Sequence, residues 1–218
     1  SRTAFVTMFG FYNGPEVNRV LFSFHQMNNL LSYSMTEFEI NKLAKCSIFV
    51  SNFDQNLVND LKLPNSFISI AIGGEWPHRT YDNWNAVIEE IIKSYNNINI
   101  VLVGSENANM QANNIKERFK NNKIFDFVGK MSFNQTAEVI NRARLLLCCD
   151  GGLMHAANSV DTPIVAIFAR LSSEMQLTES IQFTSVYDEV NVNNISFEKL
   201  FLRFNELTNS FDKNLLIE

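Results

Sequence analysis

Charged residues are sparse in this sequence. Asp, Glu, Lys and Arg make up 19% of its 218 residues and leave a net charge of −5 at pH 7. No Lys/Arg run and no basic stripe interleaved with aromatics is present, so a nucleic-acid surface is not expected. No apolar stretch approaches the ~18 residues that cross a bilayer, and no basic-then-apolar leader opens the chain. Cysteine is rare: Cys46, Cys148 and Cys149 are no disulfide framework and fit a reducing cytoplasm. No Gly-x-Gly-x-x-Gly follows any candidate strand, which disfavours a dinucleotide dehydrogenase. The first residue is Ser1 rather than Met, and a truncated or incompletely represented chain is the expectation.

What is present is apolar and rich in amides. Hydrophobic residues make up 46% and aromatics 12%, enough for one substantial core, while 29 asparagines supply much of the polarity. Between residues 66 and 170, short apolar runs alternate with helical periodicity. Residues 67–72 stop at Gly73-Gly74, 98–103 at Gly104, 125–128 at Gly129, 145–149 at Asp150-Gly151-Gly152, and 164–168 at Ala169-Arg170. Such runs read as strands buried on both faces. The helix over 81–95 places Trp84, Val87, Ile88, Ile91 and Ile92 on one face; 107–121 places Met110, Ile115 and Phe119; 132–144 places Thr136, Val139, Ile140 and Ala143; a fourth covers 153–160. Five βα units predict an α/β fold with a Rossmann-like, doubly wound parallel sheet whose ligands sit at the carboxyl ends of the strands.

Residues 1–65 are less regular. They suggest a strand over 4–8, a turn at Asn13-Gly14-Pro15, and an aromatic helix over 16–31. A short helix over 36–44, a strand over 46–50 and a helix over 51–61 follow, with a hinge at Pro64-Asn65. After Ser172 the pattern loosens until Ser196 caps a helix with Phe197, Leu200, Phe201 and Phe204 on one stripe.

The string Asp150-Gly151-Gly152-Leu153-Met154-His155 follows an apolar strand and opens a helix. Two glycines let a ligand approach the backbone, and the free N–H groups and dipole of a helix start suit a phosphate. A plain strand-to-helix turn, with Asp150 as the helix cap and His155 packed on the helix, accounts for the same residues. A metal site from Cys148, Cys149, Asp150 and His155 is disfavoured, because neighbours on a strand point to opposite faces.

The order of these motifs resembles the carboxyl-terminal domain of glycosyltransferase family 9, the ADP-heptose:lipopolysaccharide heptosyltransferases. The resemblance rests on 68–73, on Arg79 before Trp84, on Val101-Leu102-Val103-Gly104-Ser105-Glu106 and on Val128-Gly129-Lys130-Met131-Ser132. The Asp150 string and Thr162-Pro163 leading into the last apolar run complete it. It implies a GT-B architecture, with residues 1–65 as a remnant of the amino-terminal acceptor domain and linker. Residues 66–190 would be the nucleotide-sugar-binding domain, and 191–218 a terminal helix packing back toward the first domain.

The implied activity is inverting, cofactor-free and metal-independent transfer of heptose, or a related sugar, from an ADP-sugar to a lipopolysaccharide core acceptor. The implied location is cytoplasmic, with peripheral contact at the inner membrane. By the same resemblance Asp150, Gly151, Gly152 and Leu153 hold the donor diphosphate, and Arg79 approaches ribose and phosphate. Glu106 takes the ribose hydroxyls, Met131 lies beside the adenine, and His155 orients the loop. Arg79, Lys130 and Arg170 form the basic rim.

Two departures stand out. Ala169-Arg170-Leu171-Ser172 replaces the family's Gly-Pro-Thr, and 8–13 carries no carboxylate to serve as the acceptor's base, which is expected in a fuller amino-terminal domain. A non-catalytic nucleotide-sugar-binding module and a UDP-sugar epimerase-like enzyme are the alternatives.

Overall fold

The computed structural model describes residues 18–210. The strand over 4–8, the turn at Asn13-Gly14-Pro15, residues 16–17 of the expected first helix and residues 211–218 lie outside the described residues. Six strands form one parallel sheet: β1 (Ile68–Ala71), β2 (Ile100–Val103), β3 (Ile124–Asp126), β4 (Leu146–Cys149), β5 (Ile164–Ala169) and β6 (Phe183–Asp188). Their order across the sheet is β3-β2-β1-β4-β5-β6. The helices are α1 (Arg19–Leu30), α2 (Glu37–Leu43), α3 (Asn52–Asn59), α4 (Trp84–Ser94), α5 (Asn109–Arg118), α6 (Phe133–Arg142), α7 (Gly152–Ser159) and α8 (Phe197–Asn209).

The period-two geometry of the strands sorts their side chains into two cores. Ile68, Ile70, Ile100, Leu102, Leu147 and Cys149 face one layer, where α4, α5 and α8 add Trp84, Ile88, Ile91, Ile115, Leu200 and Phe204. Val101, Val103, Leu146 and Cys148 face the other, which α6 and α7 close with Val139, Ile140, Met154 and Ala157. Cys148 and Cys149 therefore sit in separate cores and cannot share an ion. Burial pushes the Cys148 thiol well above its usual range and the Cys149 thiol up to about 12.

The structure corrects two expectations and adds a strand that the sequence did not announce. The strand over 46–50 does not form among the described residues: no strand lies beside it, and Phe49 is 82% exposed. Met110 does not face the core but is 84% exposed. Ile115 and Phe119 are buried as expected, and Ala112 takes the inward place given to Met110, because Ala112, Ile115 and Phe119 share one helical stripe that Met110 falls off. β6 was illegible because it is an edge strand with polar Thr184 and Ser185, yet it pairs with β5 from Ile164↔Phe183 to Ala169↔Asp188. At the carboxyl-terminal side, α8 packs on β5, β6 and α4.

Polar links tie the amino-terminal helices to this unit. The Asn18 amide donates to the carbonyls of Glu174 and Leu177 at 2.8 and 2.6 Å. Thr178 donates to the Ala44 carbonyl, and Arg142 on α6 to Asn59 at 2.7 Å.

Candidate functional site

The strand order reverses between β1 and β4, since the chain steps outward from β1 through β2 to β3 and then returns to the other side of β1. Loops leaving the carboxyl ends of these two strands diverge and leave a crevice. A cleft of about 520 Å³ opens there, walled by the Gly73-Gly74 and Asp150-Gly151-Gly152 turns and by Gly104 at the end of β2. Gly73 has φ +79°, and a Cβ on it would lie 2.6 Å from the Ala108 Cβ, so only glycine fits that turn.

Gly151 is different. Its φ of 167° is ordinary extended backbone, and a Cβ there would meet nothing within 4 Å. The fold does not need this glycine; what its missing side chain leaves is open space.

Asp150 was expected to cap α7. Gly151 holds that position instead, and no side chain caps the helix start. The Asp150 carboxylate, 4% exposed, turns toward the Pro77–Arg79 turn and accepts from Arg79 Nη1 at 3.2 Å. A buried carboxylate gains more from a guanidinium than from amide donors alone. The first N–H groups of α7 thus remain without a capping side chain and keep the positive end of the helix dipole.

Arg79, Asp150, Gly151, Gly152, Leu153 and Met131 all line the cleft. Glu106 stands just outside the lining, exposed, with its Cγ over Gly129, 3.0 Å from where a Cβ would sit. His155 lies one turn into α7 and does not reach the cleft; its Nδ1 is 3.7 Å from Cys46 Sγ. Burial, then the Arg19 charge, pushes this imidazole below its ordinary pKa of 6.5, against Asp150 and a hydrogen bond with Gln176. Lys130 is drawn away from the rim and bonds the carbonyl and carboxylate of Asp126 at 2.6 and 3.1 Å.

Two aromatics in the cleft wall were not singled out as site residues. Trp76, which reads as a loop aromatic, lines the cleft half-exposed. Phe133 opens α6 directly after its capping residue Ser132, and its ring lies 3.4 Å from the place of a Gly152 Cβ. Phe133 stands at i, i+3, i+7 with Thr136 and Ile140, so periodicity alone assigns it to the core and carries no signal that it lines the cleft, where it stays half-exposed.

A doubly wound parallel sheet with an open glycine turn at its switch point defines a Rossmann-like domain. The chain belongs to glycosyltransferase family 9 (heptosyltransferase), whose sequence profile matches residues 13–194. No curated protein matches the sequence significantly.

Three solved structures share the fold. The glycosyl transferase family 9 protein of Veillonella parvula superposes with a TM-score of 0.70 at 16% identity, over 85% of this chain and 59% of that one. Escherichia coli ADP-heptose lps heptosyltransferase II gives 0.61 at 18% identity, over 75% and 54%. Escherichia coli heptosyltransferase WaaC with ADP gives 0.62 at 15%, over 84% and 54%. The chain thus spans little more than half the length of these structures.

Proposed function

We propose that this chain supplies the donor site of an inverting heptosyltransferase, which moves heptose or a related sugar from an ADP-sugar to a lipopolysaccharide core acceptor. One observation carries the reading: the open space at Gly151 lies at the start of a helix that no side chain caps. Backbone N–H groups of Gly152 and Leu153 take the donor diphosphate, Arg79 and Asp150 fix the turn, and Met131 flanks the adenine. Glu106 reaches from the rim to the ribose hydroxyls. His155 acts through the packing of α7 rather than on the substrate.

In this reading residues 66–190 form the donor domain, while 1–65 and 191–218 belong to its junction with an amino-terminal acceptor domain that holds the base. The acceptor oxygen attacks the anomeric carbon as the bond to the diphosphate breaks, and the acceptor's proton passes to that base. Charge developing on the leaving diphosphate meets fixed dipoles and Arg79, and no cofactor takes part. The acceptor places the enzyme on the cytoplasmic side of the inner membrane.

Titration with ADP-, UDP- and GDP-sugars, read by thermal shift, tests the reading. ADP-sugar should stabilise the chain most, and Gly151→Val should weaken it about tenfold or more without moving the denaturation midpoint. Preference for UDP, or unimpaired binding by Gly151→Val, sinks it. Turnover of an ADP-sugar by the purified chain distinguishes an enzyme from a binding module.

A further inference from the structure

The charges of the cleft do not match a diphosphate. Three charged side chains line it, the carboxylates of Glu75 and Asp150 and the guanidinium of Arg79, so its formal charge is −1. Arg79 is already paired with Asp150 at 3.2 Å, and Lys130 is held by Asp126. A nucleoside diphosphate sugar would bring two more negative charges to this place, and helix dipoles alone offer about half a charge.

An exposed cation with no carboxylate within ion-pair distance among the described residues stands one strand away, at Arg170. Cys149 on β4 is in register with Ile167 on β5, so the Gly151-Gly152 turn and Ala169-Arg170 follow the ends of two neighbouring strands. The turn that carries His78 and Arg79 packs over β5. Loss of hydration, then the charges of Arg170 and Arg79, holds the His78 imidazole below its usual range, so both guanidinium groups stand near it.

The backbone adds an independent observation. Left-handed residues follow β1, β2 and β3 at Gly73, Gly104 and Gly129, but the one that follows β5 is Arg170, with φ +68°. An arginine in the left-handed region carries strain that glycine would avoid.

We propose that Arg170 is a second counter-charge of the donor diphosphate in this chain, a binding residue that supplements Arg79, whose own charge is already balanced by Asp150. The assignment rests on the nucleotide-sugar reading above. It also gives a physical reason for the strained residue: the position demands a long, permanently charged fork beside the open turn.

Binding of ADP and adenosine to the wild-type chain and to Arg170→Gln, Arg170→Lys and Arg170→Gly tests this by separating the diphosphate from the nucleoside. Arg170→Gln should weaken ADP about tenfold and leave adenosine unchanged, with Arg170→Lys intermediate. Arg170→Gly should lose ADP equally while its melting temperature holds or rises, a combination that a structural role does not produce. Unchanged ADP affinity in Arg170→Gln, equal loss of both ligands, or a lower melting temperature in Arg170→Gly overturns the assignment. If ADP binding depends on Gly151 but not on Arg170, only this assignment fails; if the wild-type chain does not bind ADP, the donor-site reading fails with it.

Discussion

The three helices of residues 18–65 are better capped than most of the helices that flank the sheet, yet they bury far less. Asn18 caps α1, a Thr36–Glu39 capping box opens α2 and Ser51 caps α3, as well formed as the Ser132–Gln135 box of α6. Each of the first three helices buries a single side chain, Phe22, Ile40 or Val58, whereas α4 buries Trp84, Val87, Ile88 and Ile91. Capping decides where a helix begins. What holds it in place is a facing apolar surface, and only the sheet provides one on both sides. Phe38, Phe49 and Phe53 on the amino-terminal segment remain 75%, 82% and 70% exposed.

The largest expected contrast follows from that difference. Trp84 is fully buried against the sheet, edge-on to Tyr81 with ring centroids 5.3 Å apart. Trp84→Ala should cost about 3–5 kcal/mol in urea denaturation, a large part of a domain's stability. Phe38→Ala, an equally drastic truncation by chemistry, should stay within about 0.5 kcal/mol. A Phe38→Ala loss above about 1 kcal/mol would show that this face is covered in solution and would break the comparison.

The same difference explains what the sequence made legible. The apolar runs closing at Gly73, Gly104, Gly129 and Gly151 announce a buried parallel sheet, because strands covered on both faces must be apolar throughout. The glycine turns at β1 and β4 were visible for the same reason, and with them most of the cleft wall. Contacts that depend on a distant partner were not legible. Whether Asp150 caps α7 or pairs with Arg79 is decided by the turn at 77–79 arriving from β1. Trp76 carries no periodicity because it stands in a loop, and Phe133 shares the periodicity of Thr136 and Ile140 although it faces the cleft rather than a core. Lys130 has the charge for a rim but lies four residues from Asp126, which captures it.

A smaller effect is expected where the two regions are joined. The Asn18 side chain accepts from Val20 and Leu21 N–H as the α1 cap, and its amide donates to the carbonyls of Glu174 and Leu177. Asn18→Ala should cost about 1–2 kcal/mol, the loss of a cap together with donors to two carbonyls. Hydrogen exchange should show where the cost falls: amides of α1 should lose protection while those of α4 keep it. Equal loss in both helices would mean that the two regions unfold as one unit.

The smallest expected effect concerns a further contact between the regions, His155 against Cys46. The folded imidazole has its pKa held below the ordinary 6.5, chiefly by burial. Asp150 opposes the shift, Arg19 adds to it, and neither removes it. As the pH falls past 6.5, the unfolded chain therefore takes up this proton before the folded one does, and folding stability drops. Above that pH both forms are neutral and the group contributes no slope. Denaturation midpoints measured between pH 7.5 and 5.5 should decline, and His155→Gln should remove part of the decline while leaving the pH 7.5 value little changed. Cys46 offers a matching control: its thiol is pushed above its usual range by burial and stays protonated throughout this window, so Cys46→Ser should keep the slope. A slope that survives His155→Gln intact would place the titrating group elsewhere, and the Cys46–His155 contact would then be packing alone.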